Sequence, residues 1–130
     1  MKVSAKPTGI SKPVVIFCDC CVPVNQVEGL VSEFPPAHYV FVRKMFPEIV
    51  CRDDRKLFLR VHEFSQQFLS DSQIFFLTAD KKDFLQNISD LEIKDVIRVI
   101  IMENVGNVSF ETARIRTKAA LQRIFNSCDR

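Results

Sequence analysis

Five carboxylates in this 130-residue chain are placed where they could do chemistry together: Asp19, Asp53, Asp54, Asp80 and Asp83. Asp80 and Asp83 stand three positions apart in Thr78-Ala79-Asp80-Lys81-Lys82-Asp83-Phe84, directly after the apolar run Ile74-Phe75-Phe76-Leu77. Asp19 follows a second apolar run, Pro13 to Cys18, and Asp53-Asp54 opens an amphipathic stretch. Carboxylates crowded without compensation repel and resist ionisation, so a hard cation such as Mg²⁺ or Mn²⁺ is their natural counter-charge. Such an ion could activate water and stabilise a phosphoryl transition state.

The elements that would gather these acids follow from periodicity. Pro13 to Cys18, His38 to Val42, Ile74 to Leu77 and Val96 to Met102 are short apolar, aromatic or β-branched runs, which predict strands. Between them, Val27, Leu30, Val31 and Phe34 repeat at helical spacing after Pro23, until Pro35-Pro36 stops them. Arg43 to Arg52 reads as a loop. Leu57, Phe58, Val61, Phe64, Phe68 and Leu69 form one face of a second helix after Asp53-Asp54. A short helix and loop follow Phe84. Ser109 caps a last helix with Phe110, Ala113, Leu121 and Ile124 on its buried side. This βαβαβαβα order predicts a largely parallel sheet with helices on both faces. In such a sheet every strand's carboxyl end and every following helix's amino end share one edge, so all five acids could meet there.

Each acid also has a purely structural reading. Asp19 could turn the chain after the first strand. Asp53 or Asp54 could be a helix cap, and Asp83 could cap a helix beginning near Phe84. Thr78 either ends its strand or orients a carboxylate through its hydroxyl. Among the basic residues, Arg43, Lys44, Arg52, Arg55, Lys56 and Arg60 surround the Asp53-Asp54 pair, and Lys81-Lys82 separate Asp80 from Asp83. These could hold a phosphate backbone without sequence choice, or form a solvated surface.

Composition sets the outer bounds. At 47% hydrophobic, the chain has material for one core and too little length for two domains. We read a lead-in over 1–12, a single domain over 13–126 and a tail over 127–130. Eighteen basic against 16 acidic residues neither demand nor exclude a nucleic-acid partner. No apolar run approaches the roughly 18 residues of a membrane span. Cys18, Cys20, Cys21, Cys51 and Cys128 are odd in number and lack C-x-x-C spacing. They read as structural thiols in a reducing compartment, which with the absent span predicts a cytoplasmic protein without a membrane partner.

Asp19 after the first strand, an acid opening a mid-chain helix, and Thr78-x-Asp80-x-x-Asp83-Phe84 after a buried strand together resemble the PIN domain. The resemblance spans about 13–126 and is nearest to small prokaryotic PIN-like proteins, including toxins of toxin–antitoxin pairs. It implies an α/β fold, a three-layer α/β/α sandwich around a mostly parallel four- or five-stranded sheet. It also implies a ribonuclease that hydrolyses phosphodiester bonds with Mg²⁺ or Mn²⁺. Carried over, Asp19, Asp54, Asp80 and Asp83 are the catalytic metal ligands. Thr78 and Asp53 support them, and Arg52, Arg55, Lys81 and Lys82 hold the RNA backbone. Glu63 is less suited than Asp54, lying about 13 Å down the helix at 1.5 Å per residue. A small antitoxin and a homodimer are implied partners. The alternative is a catalytically degenerate PIN-like module that binds RNA or protein without cleaving.

Overall fold

The computed structural model describes residues 12–50, 53–79, 84–91 and 96–129. Its strands are β1 (Val14–Cys18), β2 (His38–Phe41), β3 (Gln73–Ala79) and β4 (Ile97–Met102). Its helices are α1 (Val24–Leu30), α2 (Val42–Met45), α3 (Asp54–Phe68), α4 (Phe84–Ile88) and α5 (Phe110–Asn126), with a 3₁₀ turn over Val31–Glu33. The four strands form one all-parallel sheet in the order β2-β1-β3-β4.

Strand periodicity divides the core in two. Ile16 and Cys18 of β1 and Phe75 and Leu77 of β3 pack with α1 and α5, where Val27, Leu30, Leu121 and Ile124 are buried. The alternate residues Val15, Phe17, Ile74 and Phe76 pack with α3 and α4, around Leu57, Phe58, Val61 and Phe84. Both faces of β1 and β3 are therefore covered, which is why these strands read as continuous apolar runs. The result is a three-layer α/β/α arrangement. Aromatic rings order the second layer: Phe76 and Phe84 stack at 5.2 Å, and Phe58 meets both edge-on.

The order of the strands sets where a ligand would bind. From β1 the chain crosses to β2 on one side, and later connections carry it to β3 and β4 on the other. The carboxyl ends of β1 and β3 thus flank the topological switch point, where open parallel sheets leave a crevice. The ladder extends one step past β1, because Asp19 N–H donates to Leu77 O at 2.9 Å.

Several boundaries differ from the sequence reading. Val42 opens α2 rather than closing β2, so part of the expected Arg43–Arg52 loop is helical. β3 runs on to Ala79, which makes Thr78 a buried strand residue paired with Ile101. Val96 is half-exposed and β4 begins at Ile97. Phe68 and Phe110 are 63% and 71% exposed instead of core. They are the last residue of α3 and the first of α5, and Phe68 leans on the Phe64 ring 4.9 Å away. Residues 127–129 are docked: Cys128 is buried, and Asp129 N–H donates to Gln73 Oε1 at 2.6 Å. Residues 1–11 of the expected lead-in lie outside the described residues.

Candidate active site

Asp19 occupies the position after β1 at the switch point and is 2% exposed. A carboxylate there needs donors, and neighbouring elements supply them. Cys20 N–H donates to Oδ1 at 2.7 Å. Thr78 Oγ1, buried on β3, donates to Oδ2 at 2.7 Å. That distance is a normal one for an O–H···O hydrogen bond.

Cys21 completes the join between β1 and β3. Its Sγ accepts Ala79 N–H at 3.3 Å and lies 3.5 Å from Thr78 Oγ1 and 3.8 Å from Asp19 Oδ2. The Cys21 S–H thus has Thr78 Oγ1, Asp19 Oδ2 and Ala79 O within reach as acceptors. Beneath it, burial pushes the Cys18 thiol up to about 12, and the Asp19 charge adds to the shift.

The Asp19 edge opens into a cleft of about 260 Å³ lined by the 18–24 segment, Phe41, Arg43 and Lys44. The register explains this lining. Cys18 pairs with Phe41, so the residues leaving β2 lie beside those leaving β1. Arg43 Nη2 reaches the Cys20 carbonyl at 3.5 Å, and Lys44 Nζ lies 6.0 Å from the Phe41 ring centroid. The lining thus carries two cations, Arg43 and Lys44, and one buried carboxylate, Asp19.

Asp53 and Asp54 differ in their surroundings. Asp53 is the exposed N-cap of α3 and accepts Lys56 N–H at 3.1 Å. Asp54, the first helical residue, is 7% exposed, and Asn87 Nδ2 of α4 donates to its Oδ2 at 3.4 Å. Because α3 leads into β3 and must run back along the sheet, its amino end lies at the edge that also carries Asp19.

Asp80, Lys81, Lys82, Asp83 and Arg52, like Cys51, lie outside the described residues. Arg55 is committed to α4 and the turn after it, through Asn87 O at 3.4 Å and a 2.5 Å ion pair with Asp90. That pairing raises the Arg55 pKa and lowers that of Asp90. Arg60 pairs with Glu63 and covers the Phe46 ring. Among the described residues, the cations lining the Asp19 cleft are Arg43 and Lys44, which the sequence grouped with the Asp53-Asp54 pair. The roles of Cys21 and Asn87 were missed. For Cys21 the signal was its place two residues beyond Asp19; Asn87 carried none.

Cys20 is disulfide-bonded, whereas Cys18, Cys21 and Cys128 are outside any disulfide. This departs from the expectation of a wholly reduced set. Among the described residues no helix is long and apolar enough to cross a membrane.

The donors fit a hard divalent cation in kind, being carboxylate oxygens on rigid elements. Two of the four expected ligands, Asp19 and Asp54, fall among the described residues, where no group of three His, Cys, Asp or Glu side chains could hold a metal. No protein-family model matches the chain, and neither the curated proteins nor the solved structures give a match.

Proposed function

We propose that the chain is a metal-dependent ribonuclease of the PIN type, with Asp19 at its centre. The supporting observation is the buried Asp19 carboxylate at the switch point, fixed by Thr78 and Cys20 and opening on a cleft with Arg43 and Lys44 at its rim. Asp19 and Asp54, with Asp80 and Asp83, would hold Mg²⁺ or Mn²⁺, and the bound ion would supply Lewis-acid activation of water. Thr78 holds the Asp19 carboxylate in one rotamer. Arg43 and Lys44 would attract the phosphate backbone. An inhibitory protein partner and a homodimer belong to the same proposal.

Cleavage of a mixed RNA panel with Mn²⁺, Mg²⁺ or EDTA tests it, comparing wild type with Asp19→Asn and Asp80→Asn. Metal-dependent cutting that both variants lose is the expected result. Cutting unchanged in the variants would assign the activity to a contaminant. Absence of both cutting and Mn²⁺ binding would leave a PIN-like module that binds without cleaving.

A further inference from the structure

A serine inside a helix has two usual outlets for its hydroxyl, solvent and the carbonyl four residues back. Ser65 of α3 uses neither. It is 2% exposed, and its Oγ is buried without a hydrogen-bond partner among the described residues. Thr117 of α5, equally buried, donates to Ala113 O at 2.8 Å. An unpaired buried hydroxyl carries the full cost of its lost water, so a partner brought to it from outside the chain is worth more than one at the surface. Tyr39 OH is unpartnered too, but Tyr39 lines neither the Asp19 cleft nor the cavity that Ser65 lines.

That cavity holds about 340 Å³ at the amino ends of β3 and β4, the edge of the sheet opposite Asp19. The carboxyl end of α3 contributes Gln66 and Leu69, the start of β3 contributes Ile74 with Ser72 before it, and Val96 precedes β4. Every side chain lining it is neutral. An ion would shed water there without gaining a counter-charge, whereas an apolar body can lie on Leu69, Ile74 and the half-exposed Val96. The volume stands near the lower end of the roughly 300–1,000 Å³ of ligand pockets, which suits a molecule of one ring.

We propose that this cavity binds a small neutral molecule, apolar over most of its surface, whose carbonyl oxygen accepts a hydrogen bond from Ser65 Oγ. The hydroxyl turns about a single bond, Cα–Cβ, so it can meet such an oxygen without movement of α3. Gln66 is exposed and Ser72 half-buried, and both offer further neutral donors nearer to solvent. Neither Asp19 nor a metal takes part, so the site stands or falls apart from the ribonuclease reading.

The deciding measurement is an amide-resolved NMR titration of the full chain with four probes: benzamide, cyclohexanone, toluene and benzoate. Benzamide and cyclohexanone carry the carbonyl on different shapes, toluene lacks it, and benzoate adds a charge. The first two should shift the amides of Ser65, Leu69, Ile74 and Val96 saturably and leave Asp19 and Cys20 unmoved. Toluene should bind about three- to tenfold more weakly than benzamide, the scale of one neutral hydrogen bond. Benzoate should bind weakest, for want of a counter-charge. Ser65→Ala removes an unpartnered hydroxyl and should fold with an undiminished urea midpoint. In that variant benzamide and cyclohexanone should fall to the affinity of toluene, with toluene unchanged. Absence of saturable shifts at these amides from every probe overturns the site. Equal affinity for benzamide and toluene in wild type, or a preference for benzamide that survives Ser65→Ala, overturns the Ser65 hydrogen bond. Benzoate binding as tightly as benzamide overturns the neutral ligand.

Discussion

Thr78 Oγ1 donates a 2.7 Å hydrogen bond to Asp19 Oδ2 across 59 positions of sequence. Both residues are buried, at the carboxyl ends of adjacent strands. The bond closes the switch point and fixes the carboxylate at once. Thr78→Val keeps the shape and removes the donor, leaving Asp19 Oδ2 short of a buried partner. We expect a loss of about 1.5–3 kcal/mol in urea unfolding, the range for a hydrogen bond to a charged group. Mn²⁺ affinity should fall about tenfold by calorimetry. Thr78→Ser restores the hydroxyl and should recover most of the affinity. Equal binding by Thr78→Val and wild type would separate Thr78 from the site.

Asp53 and Asp54 should respond in opposite ways to substitution. Asp53 caps α3 from an exposed position, so Asp53→Ala should cost about 1 kcal/mol of stability and leave Mn²⁺ binding unchanged. Asp54→Asn keeps the volume and the Asn87 contact while removing the charge, so it should abolish or strongly weaken Mn²⁺ binding with a smaller effect on unfolding. If Asp53→Ala is the variant that loses metal, the assignment of the pair is reversed.

The rim cations make a separate forecast. Arg43 lines the Asp19 cleft, whereas Arg55 is tied to Asp90. Arg43→Ala should weaken RNA binding uniformly across sequences and reduce the slope of log K against log salt by about 1. Arg55→Ala should leave that slope unchanged, which fluorescence anisotropy at several salt concentrations resolves. A larger loss from Arg55→Ala would move the RNA path toward α3 and α4.

The α/β order was legible because β1 and β3, covered on both faces, carry unbroken apolar runs, and because Pro35-Pro36 punctuates the first helix. α2 was not, since four residues give no helical period and Val42 prolongs the β-branched run before it. Phe68 and Phe110 show a second limit: periodicity assigns a residue to a face without saying how far along the helix the core extends. Of the site, Asp19 and the capping role of Asp53 could be read locally. The placing of Arg43 and Lys44 beside Asp19 depends on β2 pairing with β1, and the disulfide at Cys20 depends on tertiary approach. Neither is written in spacing.

Tyr39 offers a probe of the fold independent of function. It is the one tyrosine in a chain without tryptophan, so its ionisation can be followed alone by ultraviolet absorbance. Burial pushes its pKa up to about 12, and charge on Cys18 adds to the shift; its hydroxyl is also buried without a hydrogen-bond partner among the described residues. The folded pKa therefore lies above the unfolded value of about 10. Stability from a neutral Tyr39 is complete below about pH 10 and is lost as pH rises toward 12, because the unfolded chain gives up the proton first. The native absorbance midpoint should stand near the upper value, and the urea midpoint should fall across that window. Tyr39→Phe removes an unpartnered buried hydroxyl, so it should raise stability at neutral pH by about 1 kcal/mol and flatten the alkaline decline. A native midpoint near 10 with an unchanged alkaline slope in Tyr39→Phe would place the ring in solvent, against the packing of β2 on β1.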